Sequence, residues 1–150
     1  MKSGRTNRKA SNAMKIFRVI PFVALSIISL CSAASLSAER RVFTFDTNLS
    51  AAALYSSLQK IEHYKAAALI FLLAWLAFGN RRLSLAFWLT LLVSLGWELF
   101  EATAVGRTAR LSDLAPDCFS AVGCLVVALA TRIVFSTGNR SLIKQQARKV

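Results

Sequence analysis

The chain has 150 residues, and with 55% hydrophobic residues and a mean hydropathy of +0.51 it is too apolar for an ordinary soluble domain. Its net charge of +12 would suit nucleic acid, but the basic residues form neither a known motif nor a face with stacking aromatics. Its three cysteines show no Cys-x-x-Cys pair and no zinc spacing. We therefore expect a membrane protein with no nucleic-acid partner, no metal and no cofactor.

Apolar residues are grouped in four blocks, each close to the roughly 20 residues that a helix needs to cross a bilayer. In chain order the blocks are residues 19–38, 64–79, 83–100 and 118–135. The second is short, but Lys65 can extend its ammonium group to the interface. We predict an all-α integral membrane bundle of about four transmembrane helices, the alternative being a soluble bundle with buried helices.

The segments outside these blocks are polar. Residues 1–18 form a basic N-terminal segment that we expect to be disordered, and residues 136–150 form a basic tail. Residues 39–63 are predicted to be an outer loop, in which 49–61 can form a short amphipathic helix. The first apolar block is predicted to be a retained helix, with a signal peptide cleaved after Ala38 as the alternative.

The distribution of charge predicts the topology. Thirteen of the 19 basic residues lie in residues 2–18, 81–82 and 132–149, which four helices would place on one side of the membrane. All seven acidic residues lie on the other side, with the remaining six basic ones. The positive-inside rule then predicts that both termini of this multi-pass protein are cytoplasmic.

The charged residues at the end of the third block and the start of the fourth are the candidates for a site. Glu98 and Glu101 are three residues apart, so a helix places them on adjacent parts of one face, and Arg107 or Arg110 could pair with them. This pattern indicates either a polar pocket that binds an anionic group or moves a proton, or only a solvated helix end.

Three further residues belong to the same candidate cluster. Asp113 and Asp117 can cap the fourth helix and meet the positive end of its dipole, which would be a purely structural role. His63, the only histidine, begins the second helix on the side where Glu98 ends the third, so the two can meet. A lone interfacial histidine is more often a hydrogen-bonded surface group than a ligand or a base.

Four short motifs occur in order along residues 59–135. They are Gln59-Lys60-Ile61-Glu62-His63-Tyr64, Glu98-Leu99-Phe100-Glu101, Gly106-Arg107, and Asp113-Leu114-Ala115-Pro116-Asp117-Cys118-Phe119-Ser120. In order and spacing this set resembles the VanZ-like integral membrane proteins of bacteria. The family favours aspartate, glutamine, asparagine and glycine where this chain has Gln59, Glu101, Asp117 and Ser120.

The resemblance implies a bacterial cytoplasmic-membrane protein with a role in the cell envelope. The family takes its name from a member linked to resistance against the glycopeptide teicoplanin, and this link extends to the present chain by resemblance only. The residues carried over are Lys60, His63, Glu98, Arg107 and Asp113. With Glu101 and Asp117 they form the predicted outer-face polar cluster.

The leading hypothesis is a non-enzymatic protein whose polar cluster binds a lipid head group, a cell-wall precursor or a protein partner. In this hypothesis Arg107 holds an anionic group, and Glu98 orients Arg107 or His63. The alternatives are a membrane enzyme that acts on a lipid-linked substrate with His63 and Glu98 as acid and base, a small proton-coupled carrier that works as a homo-oligomer, and a structural assembly factor. Membrane lipids are expected partners in every case.

Overall fold

The computed structural model describes residues 3–35, 43–105 and 107–147, with side chains described within 16–35, 43–105 and 107–134. The described chain contains five α-helices: α1 (Ser3–Ser35), α2 (Ala51–Leu58), α3 (Ile61–Phe78), α4 (Leu83–Glu101) and α5 (Leu114–Ala147). Four segments are long and apolar enough to cross a membrane: Ile16–Ser35, Ile61–Phe78, Asn80–Glu101 and Leu111–Val134. The predicted all-α bundle of four membrane-spanning helices is confirmed.

The outer surface of the bundle is apolar along the four long helices. Large side chains such as Leu76, Trp88 and Val127 are each at least 59% exposed. A soluble protein rarely presents so much continuous apolar surface to water, whereas acyl chains solvate it without cost. The protein is therefore a multi-pass membrane protein.

Helices α3 and α4 form the centre of the bundle. These two helices pack against each other, with α1 on one side of the pair and α5 on the other. Small residues, among them Ala74, Ala86 and Ala128, are fully buried where the helices approach, and Phe71 fills the space between them. Small side chains at helix contacts allow the backbones to come close, which is how membrane helices gain packing energy.

A tight turn joins α3 to α4. Gly79 takes a positive φ of 74°, which a glycine adopts without steric cost, and Asn80–Arg82 forms one turn of 3-10 helix. The indole N–H of Trp75 donates a hydrogen bond to the Asn80 side chain across this turn. The turn makes α3 and α4 an antiparallel hairpin and places Arg81 and Arg82 at one end of the bundle.

The two loops at the opposite end are joined to each other. Strand β1 (Phe45–Asp46) pairs in parallel with β2 (Ala109–Arg110), and the backbone N–H of Thr44 donates to the carbonyl of Ala102 at 3.0 Å. Helix α2 follows β1 and packs against the start of α5. These contacts bring the two predicted outer loops together over the ends of the helices, which we call the loop end of the bundle.

Several boundaries differ from the predictions. Helix α1 already begins at Ser3, so the expectation of a disordered N-terminal segment is wrong, and α5 continues to Ala147 through most of the predicted tail. Helix α3 begins at Ile61, because an acid in the first turn, here Glu62, suits the positive end of the helix dipole. Residues 36–38, the predicted end of the first helix, and Gly106 lie outside the described residues.

Candidate functional site

The site begins with the register of α3 against α5. Because α4 returns the chain to the loop end, α3 and α5 both start there and run parallel, in contact. Side chains in their first turns therefore meet in order: Lys60 with Asp113, and then His63 with Asp117. One turn deeper, the hydroxyl of Ser120 donates to the backbone carbonyl of Tyr64 at 2.8 Å.

The first of these pairs is part of a buried polar clamp, formed by Ser57, Lys60, Ser112 and Asp113. Lys60 Nζ lies 2.6 Å from Asp113 Oδ2, and the Ser57 hydroxyl donates to Asp113 Oδ1, also at 2.6 Å. The Ser57 and Ser112 hydroxyls are 3.0 Å apart. Both carboxylate oxygens of Asp113 are thus occupied, and the clamp ties α2 and the start of α3 to the start of α5.

Burial within the clamp is unequal. The Asp113 side chain is 3% exposed, whereas that of Lys60 is 41% exposed, so the ammonium group keeps part of its hydration. Ser57 and Ser112 are fully buried. A buried carboxylate is tolerated only when it is paired and hydrogen-bonded, and Asp113 meets both conditions. The clamp is therefore a closed structural unit with no room for a ligand between its members.

Glu98 forms a second buried contact, at the end of α4. It is 1% exposed, and its Oε2 accepts a hydrogen bond from the backbone N–H of Arg110 at 3.2 Å. The sequence led us to expect the side chain of Arg107, Arg110 or His63 as its partner, and the structure shows the backbone N–H of Arg110 in contact with it. Glu98 thereby fixes strand β2 against the end of α4.

The side chain of Arg110 points from β2 towards the first loop. Its Nε lies 3.9 Å from Asp46 Oδ2, too far for a hydrogen bond, and it is buried without a hydrogen-bond partner in the described part of the chain. The Arg110 side chain as a whole is 39% exposed. This ion pair adds to the β1–β2 pairing that holds the two loops together.

His63 and Asp117 form the second pair between α3 and α5. His63 Nδ1 lies 3.4 Å from the carboxylate of Asp117, a longer contact than those in the clamp. The Asp117 side chain is 5% exposed and that of His63 is 21% exposed. Unlike the clamp, this pair borders an open space, because both residues line a cavity.

The cavity has a volume of about 340 Å³ and lies where α1, α3, α4 and α5 converge near the loop end. Its polar lining consists of Ser29, Glu62, His63, Ser94, Glu101 and Asp117. Its apolar lining consists of Ala66, Ile70, Val93 and Trp97. The volume and the mixed lining are typical of a pocket for a small molecule or for part of a lipid.

The structure brings most of the predicted cluster to one place. Lys60 and Asp113 are in the clamp, His63, Glu101 and Asp117 line the cavity, and Glu98 lies between them within electrostatic range of His63 and Asp113. Arg107 is placed differently: it is exposed in the second loop and is absent from the cavity lining. Its backbone N–H donates to the carbonyl of Ala104 at 3.3 Å.

Sequence reasoning missed several residues of the site, among them Ser57, Ser112, Ser94 and Trp97. Ser57 and Ser112 look like ordinary polar residues beside helix ends, and only the packing of α2 on α5 makes them partners. Ser94 and Trp97 were not among the predicted site residues, but both line the cavity. Their spacing of three residues, followed by Glu101 four residues later, places all three along one face of α4 and could have indicated a shared lining.

The chemistry open to this arrangement is limited by burial. Within the described residues, no group of three or more histidine, cysteine, aspartate or glutamate side chains is arranged to hold a metal ion. Ser57, the serine closest to an acid–base pair, is fully buried and so is not accessible as a nucleophile. The polar groups that line the cavity, and that a ligand can reach, are Ser29, Glu62, His63, Ser94, Glu101 and Asp117.

Comparisons with protein-family models, with curated proteins and with solved structures found no significant match to this chain.

Proposed function

We propose that this chain is a VanZ-like bacterial protein of the cytoplasmic membrane and that it serves the cell envelope without catalysing a reaction. Its cavity would bind the polar head group of a membrane lipid or of a lipid-linked cell-wall precursor. The observation that carries this proposal is the cavity of about 340 Å³ with a charged rim and an apolar interior. The four motifs in order supply the family resemblance.

The position of Glu98 favours binding over the acid–base enzyme considered above. That mechanism needs His63 and Glu98 to face one substrate. Glu98 is 1% exposed, lies outside the cavity lining, and accepts a hydrogen bond from the Arg110 backbone. His63 therefore faces the cavity with Asp117 as its neighbour and without Glu98, so the pair that this mechanism requires does not form.

The predicted orientation places the loop end on the outer side of the membrane. Arg18, Arg81, Arg82 and Arg132 lie towards the other end, and among the described residues every carboxylate lies in the loop-end half of the chain's helices and loops. This asymmetry supports the orientation by the positive-inside rule. An outward cavity suits an envelope ligand, since such ligands are presented at the outer leaflet.

Labelling of a single cysteine tests the orientation. In a variant with the native cysteines replaced and Arg107→Cys introduced, an impermeant thiol reagent should label intact cells, because Arg107 is exposed. A tag at the C-terminus, read in the same cells, should stay protected. Labelling only after permeabilisation would show that the loop end is cytoplasmic, and the envelope assignment would then be wrong.

Filling the cavity tests binding. Ala66 lines the cavity, whereas Leu69, three residues along the same helix, is 47% exposed on the outer surface. We expect purified protein to retain a polar lipid species enriched over the membrane extract, Ala66→Phe to lose it, and Leu69→Phe to keep it. Mass spectrometry of the retained lipids measures the enrichment. Equal retention by both variants, or no enriched species in the unchanged protein, would contradict the proposal.

A further inference from the structure

Carboxylates outnumber basic groups in the lining of the cavity. Its ionisable lining residues are Glu62, Glu101, Asp117 and His63, and no lysine or arginine is among the lining residues of the described chain. Lys60 is paired with Asp113 in the clamp, and Lys65 is paired with the lining residue Glu62 at 3.1 Å, where both side chains are largely exposed. An anionic group inside the cavity would therefore face three carboxylates, and among the described lining residues only His63, which is paired with Asp117, can carry a positive charge.

The depth of the cavity is apolar. Ala66, Ile70 and Val93 come from the facing surfaces of α3 and α4, and Ile70 and Val93 are also part of the buried core. Trp97 lies on α4 between Val93 and Glu101 and contributes an indole to the lining. An aromatic face attracts a cation, most strongly for tryptophan and where water is excluded. The lining thus changes from carboxylates and an indole at the rim to aliphatic side chains within.

We infer that the cavity binds an ammonium group attached to an apolar chain. The carboxylates of Glu101 and Asp117 would pair with the ammonium group, the Trp97 indole would contact it, and the chain would lie against Ile70 and Val93. His63 would hold Asp117 in place through their 3.4 Å contact. This inference rests on the proposed binding function and specifies the charge of the ligand, in contrast to the anionic group that the sequence suggested for Arg107.

Two sources carry both an ammonium group and an apolar chain: a free long-chain amine, in which the two are joined directly, and an aminophospholipid of the bilayer, in which a phosphodiester lies between them. The first arm of the test uses decylammonium, decyl sulfate and decanol, titrated by calorimetry into the full chain in maltoside micelles, with empty micelles as the blank. We expect decylammonium to bind saturably and the other two to bind at least about tenfold more weakly, because like charges repel and an alcohol forms no ion pair.

The second arm measures lipid selection. The full chain is reconstituted in vesicles of equal phosphatidylethanolamine and phosphatidylglycerol, then extracted, and its retained lipids are identified by mass spectrometry. Enrichment of phosphatidylethanolamine identifies the bilayer lipid as a source. Binding of decylammonium without that enrichment supports the inference with a free amine as the source.

Matched variants connect both arms to the site. Glu101→Gln keeps the shape of the side chain and should weaken decylammonium binding about tenfold, as expected for the loss of one close charge partner. Asp46→Asn removes an exposed carboxylate at the same end, outside the cavity lining, and should leave binding unchanged. Trp97→Phe should weaken binding less than Glu101→Gln, because phenylalanine retains part of the cation–π attraction.

The failures are distinguishable. If decyl sulfate binds as tightly as decylammonium, or if Glu101→Gln has no effect while Ala66→Phe blocks binding, the ammonium inference is overturned and the proposed binding function stands. If no probe binds, the ammonium inference is wrong, and if Ala66→Phe also leaves lipid retention unchanged, the proposed function is wrong as well.

Discussion

The clamp and the cavity rim are built from the same two helix starts, yet they differ in almost every physical respect. Lys60 and His63 are three residues apart, and their partners Asp113 and Asp117 are four apart, so the pairs occupy successive turns. In the first pair Lys60 Nζ lies 2.6 Å from Asp113 Oδ2, and Ser57 and Ser112 pack around the carboxylate. The second is longer, at 3.4 Å, and faces open space.

Helix α2 accounts for the difference. It lies over the start of α5 and provides Ser57, which donates to Asp113 and excludes water from that carboxylate. Asp117 is one turn deeper, beyond the reach of α2, and its neighbours Glu101 and Ser94 come from α4 across the cavity. Both carboxylate oxygens of Asp113 therefore have partners within the protein, whereas Asp117 can still pair with a ligand. We expect substitution of Asp113 to lower stability and substitution of Asp117 to weaken ligand binding.

The largest effect on stability should come from Lys60→Met. This change leaves the Asp113 carboxylate buried with only a serine hydroxyl as its partner, which should lower the free energy of unfolding by about 2–3 kcal/mol. The estimate is below that for a fully buried pair because Lys60 is 41% exposed. Thermal denaturation in maltoside micelles, followed by circular dichroism, measures the change.

Two controls accompany this variant. Lys65→Met breaks an exposed pair, with side chains 66% and 84% exposed, and should change stability by less than about 0.5 kcal/mol. The double variant Lys60→Met with Asp113→Leu removes both charges and should be more stable than Lys60→Met alone. A double variant that is less stable than the single one would show that Asp113 does not depend on Lys60.

Glu98 provides a second, smaller test of the closed region. Glu98→Ala should cost about 1–2 kcal/mol because the Arg110 N–H loses its buried acceptor, whereas Glu98→Gln keeps an acceptor oxygen and should cost less. Loss of this bond should also loosen β2, so limited proteolysis should cut the second loop faster in the alanine variant. Equal cleavage in both variants would argue that the β1–β2 pairing alone holds the loop.

The sequence predicted the bundle well because block length and hydropathy report directly on the cost of placing residues in hydrocarbon. It also predicted that His63, Glu101 and Asp117 lie at the same end of the bundle, because successive membrane-spanning helices run in opposite directions. The division into clamp and cavity was not predictable, because it depends on how α2 packs on α5. The charge pattern also does not reveal that Arg107 lies outside the cavity, because the conformation of the second loop determines its position.

Asp117→Asn should separate binding from stability. Asparagine is isosteric and can still accept a hydrogen bond from His63, so the free energy of unfolding should change by less than about 1 kcal/mol. Binding of decylammonium should nevertheless fall, because one of the two close carboxylates is lost. Asp113→Asn is the matched comparison: it should lower stability more than Asp117→Asn does and leave binding largely intact. The reverse pattern would mean that the clamp, and not the cavity, carries the binding site.

The smallest effect should come from Gly96, which sets the distance between α1 and α4 beside the cavity. A Cβ at this position would lie 2.9 Å from Leu30 Cδ2, the end of a flexible side chain that can move aside. Alanine also favours a helix over glycine, so Gly96→Ala should change stability by no more than about 0.5 kcal/mol. Gly123→Ala meets nothing within 4 Å and should be stabilising, which makes it the control. If Gly96→Ala alone lowers the free energy of unfolding by more than about 1 kcal/mol, α1 cannot move to accommodate the added methyl group. The wall that carries Ser29 would then be a rigid side of the cavity.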